Sequence, residues 1–111
     1  MGKFIISKRP NGDFQFNLKA GNGQVILTSQ GYNSKSSCEN GIESVRTNAQ
    51  EDSKFERNKA KDERCYFNLK AGNGQIIGTS QMYESENGME NGIESVKHNA
   101  PHASLEEDIN L

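Results

Sequence analysis

Phe16-Asn17-Leu18-Lys19-Ala20-Gly21-Asn22-Gly23-Gln24 returns letter for letter as Phe67 to Gln75. Carried outward at the same offset of 51, Phe16 to Ala49 aligns with Phe67 to Ala100 without a gap, and 24 of the 34 pairs are identical. Glu39-Asn40-Gly41-Ile42-Glu43-Ser44-Val45 recurs as Glu90 to Val96, and upstream the likeness thins to pairs such as Phe4 with Phe55 and Lys8 with Lys59. A repeat of about 50 residues buries too small a fraction of its surface to stand comfortably alone. Gln50 to Ser53 is a short polar joint rather than a Gly/Ser/Pro linker. The expectation is therefore one domain over residues 1–111, built of repeats at about 1–52 and 53–111 and related by an approximate two-fold axis.

Within the quoted stretch Phe14, Phe16 and Leu18 alternate with Gln15, Asn17 and Lys19. That period of two marks a strand with one buried face. An apolar run over residues 3–8 reads as a preceding strand, and Pro10-Asn11-Gly12 as the turn between them. Gly21-Asn22-Gly23 turns the chain into a returning strand over Gln24 to Ser29. A two-residue loop would set Leu18 opposite Leu27; a three-residue loop, with Gly23 left-handed in a bulge, would set it opposite Ile26. Ile26 is repeated as Ile77 whereas Leu27 becomes Gly78, which favours the longer loop and the Leu18–Ile26 pair.

Ser34 and Ser85 have the character of helix N-caps. Cys38, Ile42, Val45 and Ala49 follow at helical spacing, as do Met89, Ile93, Val96 and Ala100. Gly41 and Gly92 lie on those stripes, where a mid-helix glycine costs roughly 1 kcal/mol against alanine; close approach of helix to sheet is the expected benefit. A strand is expected near Lys54 to Asn58 and a short last one over Ser104 to Ile109, after Pro101. The fold class read from this order is α+β: two β-β-β-α-β repeats forming one antiparallel sheet, with both helices on one face.

Composition narrows the function classes. Ile, Leu, Val and Phe make up 21 of 111 residues and the net charge is −2, so the core is small and no deep enclosed pocket is expected. No stretch approaches the ~18 apolar residues of a membrane span, and no signal-peptide pattern is visible. Two cysteines, Cys38 and Cys65, without a secretory signal argue for reduced thiols in a cytoplasm. Residues 1–50 carry six basic and three acidic groups, while from Glu84 onward seven acids face Lys97 alone, a region that would repel phosphate backbones.

Catalytic patterns are not apparent. The Gly-Asn-Gly-Gln turns lack the lysine and spacing of a phosphate loop and open a strand rather than a helix. His98 and His102 are four apart with Pro101 between them, so no metal site is expected, and no cofactor. Cys38 aligns with Met89 and Cys65 with Phe14, which reads both thiols as core filler. Glu39, Glu43, Glu90 and Glu94 read as solvated helix faces.

The polar residues present in both copies are better pointers. Asn17, Lys19, Asn68 and Lys70 are expected on the sheet face opposite the helices, a candidate binding face for a strand, a sheet or single-stranded nucleic acid, for which Tyr66 would offer stacking. Gln30, Tyr32, Gln81 and Tyr83 are candidates for the edge of a groove where the repeats meet, a small-ligand or peptide site.

The string Phe-Asn-Leu-Lys-Ala-Gly-Asn-Gly-Gln, then Ser-Gln-x-Tyr, then Glu-Asn-Gly-Ile-Glu-Ser-Val and Asn-Ala resembles the YegP-like family of small bacterial proteins, in both copies and over about nine-tenths of the chain. The resemblance implies tandem units sharing one sheet and exchanging terminal strands, with single-repeat members pairing as dimers. A commoner pattern in the family has Glu where Gln30 and Gln81 stand. It implies a fold and no settled activity or substrate. The leading functional reading is a cytoplasmic, non-enzymatic interaction module with a protein or peptide partner, monomeric as a covalent pseudo-dimer. A weak single-stranded nucleic-acid binder and a groove receptor are the alternatives.

Overall fold

The computed structural model describes residues 2–109; the outermost residues of the expected domain, Met1, Asn110 and Leu111, lie outside them. The elements follow in the order β1 (Lys3–Lys8), β2 (Phe14–Lys19), β3 (Val25–Ser29), α1 (Lys35–Asn48), a 3-10 turn (Asp52–Lys54), β4 (Phe55–Lys59), β5 (Cys65–Lys70), β6 (Ile76–Thr79), α2 (Glu86–Asn99) and β7 (Ser104–Asp108). All seven strands form one sheet in the order β4-β5-β6-β3-β2-β1-β7. Every pairing is antiparallel except β1 with β7, which is parallel.

The repeats meet at β3 and β6, where Thr28 faces Thr79. These two residues are equivalent at the offset of 51, so the pseudo-two-fold axis runs beside them. Strand exchange follows from the chain order. β4 leaves α1 of the first repeat yet pairs with β5 of the second, and β7 leaves α2 yet pairs with β1 of the first. β4 is both the last strand of the first unit and the first of the second. The sheet consequently has β7 beyond β1 at one end and, among the described residues, no strand beyond β4 at the other. At that open edge Arg57 stands where the first repeat has the fully buried Ile6. Its guanidinium binds Glu90 on α2 and Asp52. An inward-pointing charge discourages edge-to-edge pairing.

The alternating strands bury one face against the helices. Phe4, Ile6, Phe16, Leu18, Phe67 and Leu69 are fully buried, in one cluster with the stripes Cys38-Ile42-Val45-Ala49 and Met89-Ile93-Val96-Ala100. Both N-caps form: Ser34 Oγ accepts from Ser37 N at 3.1 Å and Ser85 Oγ from Gly88 N at 3.0 Å. The aromatic packing is duplicated as well. Phe4 meets Phe16 edge-to-face at 5.7 Å and Phe55 meets Phe67 at 5.6 Å.

The turn after β2 is the three-residue one, with Ala20 N donating to Gln24 O and Gly23 at φ 85°. The expected Leu18–Ile26 pair does not follow from it. Leu18 faces Leu27, because Ile26 is an extra residue bulged between the Leu18–Leu27 and Lys19–Val25 pairs. The bulge lets two successive side chains, Ile26 and Leu27, reach the core. Leu27 becomes Gly78 in the second copy for a packing reason. A Cβ on Gly78 would lie 2.8 Å from Leu27 Cγ. The equivalent positions meet near the axis, where the core has room for one large side chain.

Candidate binding face on the uncovered side of the sheet

Both helices lie on one side, so among the described residues no element covers the other side of the sheet. β-strand alternation sends Ile5 and Ser7 of β1, Gln15, Asn17 and Lys19 of β2, and Thr28 of β3 to that side, opposite the buried Phe4, Ile6, Phe16, Leu18 and Leu27. The second repeat presents Glu56, Asn58, Tyr66, Asn68, Lys70 and Thr79 in the same way. All four expected face residues, Asn17, Lys19, Asn68 and Lys70, therefore stand on one surface, and Tyr66 with them.

The two halves of that surface are chemically unequal. In the second repeat Glu56 faces Asn68 across β4 and β5. Its carboxylate accepts from Asn68 Nδ2 at 3.0 Å and Asn58 Nδ2 at 3.1 Å, and it pairs with Lys70 Nζ at 2.7 Å. Thr79 Oγ1 donates to Asn68 Oδ1 at 2.7 Å, so the amide is satisfied at both ends. The Lys70 ammonium, and then the two amides, hold the Glu56 carboxyl down to about 2. In the first repeat the residue facing Asn17 is Ile5. Asn17 and Lys19 have no strand carboxylate where their copies have Glu56, and Ser7 replaces Asn58. The nearest acid on this face, Glu106, lies one strand further out beside Ile5 and pairs with Lys3 Nζ at 3.2 Å. Comparing positions 5 and 56 across the repeat would have exposed this difference; attention to residues shared by both copies hid it.

The four groove candidates are not brought together. β3 and β6 are antiparallel about the Thr28–Thr79 pair, which carries Gln30-Tyr32 and Gln81-Tyr83 to opposite ends of the junction. Gln30 and Tyr32 border an open groove with Gly74, Gln75 and Ile76 of the second repeat. Tyr32 bridges back to Phe14 and Tyr83 to Cys65. Their rings stack on Phe16 and Phe67 at 6.3 and 6.4 Å. Burial raises both phenols, Tyr32 with a further push from Cys38. Gln30 and Gln81 stay exposed.

Other reactive groups lie away from this face. Cys38 and Cys65 are free and buried, and burial, then the Glu39 carboxylate, pushes the Cys38 thiol up to about 11. Glu43, Glu90 and Glu94 pair with Arg46, Arg57 and Lys97. His98 lies in the last turn of α2 and His102 in the turn beyond it, both beside a cavity with Gly2 and Asn99. Among the described residues no helix is long and apolar enough to cross a membrane.

Sequence and structure comparisons agree with this architecture. A UPF0339 protein from the 5′ region of the ptx operon of Stutzerimonas stutzeri is 52% identical over 106 residues, 96% of each chain. The UPF0339 protein YegP of Escherichia coli is 48% identical over 107 residues, 96% of this chain and 97% of its own. The solution structure of the E. coli protein, described as of unknown function, matches with a TM-score of 0.94 at 46% identity, over 99% of this chain and 95% of that one. A UPF0339 protein structure from Shewanella oneidensis matches with a TM-score of 0.92 at 49% identity, over 97% and 92%. The family described as "Domain of unknown function (DUF1508)" matches twice, at residues 10–56 and 60–107, one match to each repeat. With its strand-exchanged sheet and both repeats matched, the chain belongs to this YegP-like family of tandem DUF1508 proteins, whose function is unknown.

Proposed function

We propose that this chain is a single-domain, non-enzymatic interaction module of the cytoplasm that acts as a monomer and binds a protein or peptide on the bare face of its sheet, at the first repeat. The observation that carries the reading is the inequality of the two halves. Asn68 and Lys70 are tied to Glu56, while in the first repeat Asn17 faces Ile5 and Lys19 faces Lys3. A half-buried lysine and amide beside an aliphatic side chain form a polar and apolar surface that an extended segment can cover. The buried thiols and cation-paired helix carboxylates offer no poised nucleophile or base.

Amide and side-chain NMR of labelled protein tests this, titrated separately with short extended peptides of acidic, neutral and basic character and with oligo(dT). Shifts centred on Ile5, Asn17 and Lys19 with a peptide are the expected result. Shifts confined to Gln30, Tyr32 and Gly74 to Ile76 would move the site to the groove. A response to oligo(dT) alone, steeply weakened by salt, would replace the peptide with nucleic acid. Silence from every probe at this face overturns the reading.

A further inference from the structure

Repeat two shows, inside its own fold, what an Asn–Lys pair on this sheet holds. A strand glutamate, Glu56, lies against Asn68 Nδ2 at 3.0 Å and Lys70 Nζ at 2.7 Å. Repeat one presents the same pair, Asn17 and Lys19, at the equivalent two positions of β2, with Thr28 behind Asn17 as Thr79 is behind Asn68. What differs is the residue in front, Ile5 for Glu56. Lys3 lies directly across from Lys19 and adds a second ammonium, already shared with Glu106. We propose that Asn17 and Lys19 form a carboxylate-binding site that takes an aspartate or glutamate side chain of an extended partner segment, in the manner that Asn68 and Lys70 take Glu56. This names the ligand chemistry of the surface assigned above and rests on that reading.

Charge and shape agree on the occupant. The ammonium and the amide N–H groups are donors, so the complementary group is an acceptor that carries negative charge. Ile5 and Val25, the latter facing Lys19, give apolar flanks. Those suit the side chains two residues on either side of an acidic residue in an extended peptide, which share its face, better than a free small carboxylate, which would leave them wet. Ser7, in place of Asn58, leaves one more hydroxyl at the far side.

The fold's own symmetry supplies the test, because the site can be closed in one repeat and opened in the other. The probe is the blocked peptide Val-Thr-Glu-Thr-Val, with its Gln analogue and free propionate as controls, read by NMR shifts of the Asn17 and Asn68 side-chain amides. Wild-type protein should bind the Glu peptide at Asn17 only and the Gln analogue roughly fivefold more weakly. Ile5→Glu should abolish binding by supplying an internal carboxylate, and Glu56→Ile should add a second site at Asn68 and Lys70. Thermal melts of both variants confirm that each is folded, and Lys19→Met, on an exposed face, should lose binding without them. Equal binding of the Gln analogue, or binding that survives Ile5→Glu, overturns the carboxylate site while leaving an interaction face in place. Equal shifts with propionate overturn the peptide. Absence of shifts at Asn17 with both peptides overturns the site, and the function above falls only if its wider probe set is silent too.

Discussion

The hydroxyl of Tyr32 lies over the Cα of Gly41 on α1, and Tyr83 repeats the contact on Gly92 of α2. A Cβ on Gly41 would overlap the hydroxyl oxygen and sit 2.7 Å from Cζ; on Gly92 it would sit 2.6 Å from Cζ of Tyr83. Each tyrosine is thus a spacer between the sheet and its helix, and each glycine is the recess that receives it. Gly41→Ala gains about 1 kcal/mol of helix propensity but forces the ring out of its stack on Phe16, an overpacking cost of about 1–3 kcal/mol. The expected result is net destabilisation in urea melts, in either repeat. Tyr32→Phe should relieve the Gly41→Ala penalty only in part, since the ring carbons remain in the way.

Ser29 is repeated as Ser80 because its hydroxyl closes a gap in the sheet. Ser29 Oγ accepts from the buried Phe16 N at 2.9 Å and donates to Gln30 O at 2.8 Å. Ser80 does the same with Phe67 N at 3.0 Å and Gln81 O at 2.7 Å. Ser29→Ala strands a buried amide, at a cost of about 1–3 kcal/mol. Ser29 is buried and Ser80 less so, which makes Ser29→Ala the costlier of the pair. Hydrogen exchange of the Phe16 amide should accelerate in that variant; unchanged exchange would show that another acceptor takes over.

The elements were legible in the sequence where one local pattern decides them. Alternation of Phe14, Phe16 and Leu18, the caps Ser34 and Ser85, and the helix stripes each rest on residues within a few positions of one another. The β3 register was not, because Val25, Ile26 and Leu27 do not alternate and a bulge resolves the conflict. The parallel β1–β7 pair depends on where the chain goes after α2, which no pattern in Ser104–Asp108 encodes: all five of its residues are exposed. The bare face was read correctly from strand parity. The ion pair that divides it into unequal halves was missed because Glu56 has no counterpart in the first copy. Tyr32 and Tyr83, read as edges of one groove, stand at opposite ends of the junction; Tyr32 borders a groove there, and both are half-buried spacers on the helix side, a role set by the glycines they touch rather than by their own neighbours in sequence.

Leu27 and Gly78 form a second complementary pair, now across the junction of the repeats. Gly78→Ala should destabilise by about 1–3 kcal/mol through its contact with Leu27. Leu27→Ala should cost about 2–5 kcal/mol as a core truncation. Together the two changes should cost less than their sum, since the added methyl enters the space the leucine leaves. A double-mutant cycle in urea measures the coupling; strict additivity would mean that the two side chains do not share that space. The same reasoning explains why the duplication has drifted here while the hairpin residues have not. A position beside the axis meets its own copy, so both halves cannot keep the same large side chain.

Acid stability should follow the carboxylates of the second repeat. Glu56 is held down to about 2 by Lys70, Asn68 and Asn58, and Asp52 to about 2 by Lys97 and Arg57. Both folded-state values lie below the ordinary values of 4.5 and 3.8. Protons therefore bind the unfolded chain first, and the stabilisation from these groups is complete above about pH 5 and is lost as pH falls through about 4.5 to 2. Urea midpoints should be flat from neutral pH to about pH 5 and fall below it. The fall should be shallower in Glu56→Gln, whose amide cannot titrate, and in Lys70→Met, which removes the largest cause of the Glu56 shift. Because Asp52 is exposed and Glu56 partly so, added salt should flatten the same slope. Ile5→Glu should steepen it, since that change would place a second carboxylate against an Asn–Lys pair; an unaltered slope would mean that Asn17 and Lys19 do not hold a carboxylate as their copies do.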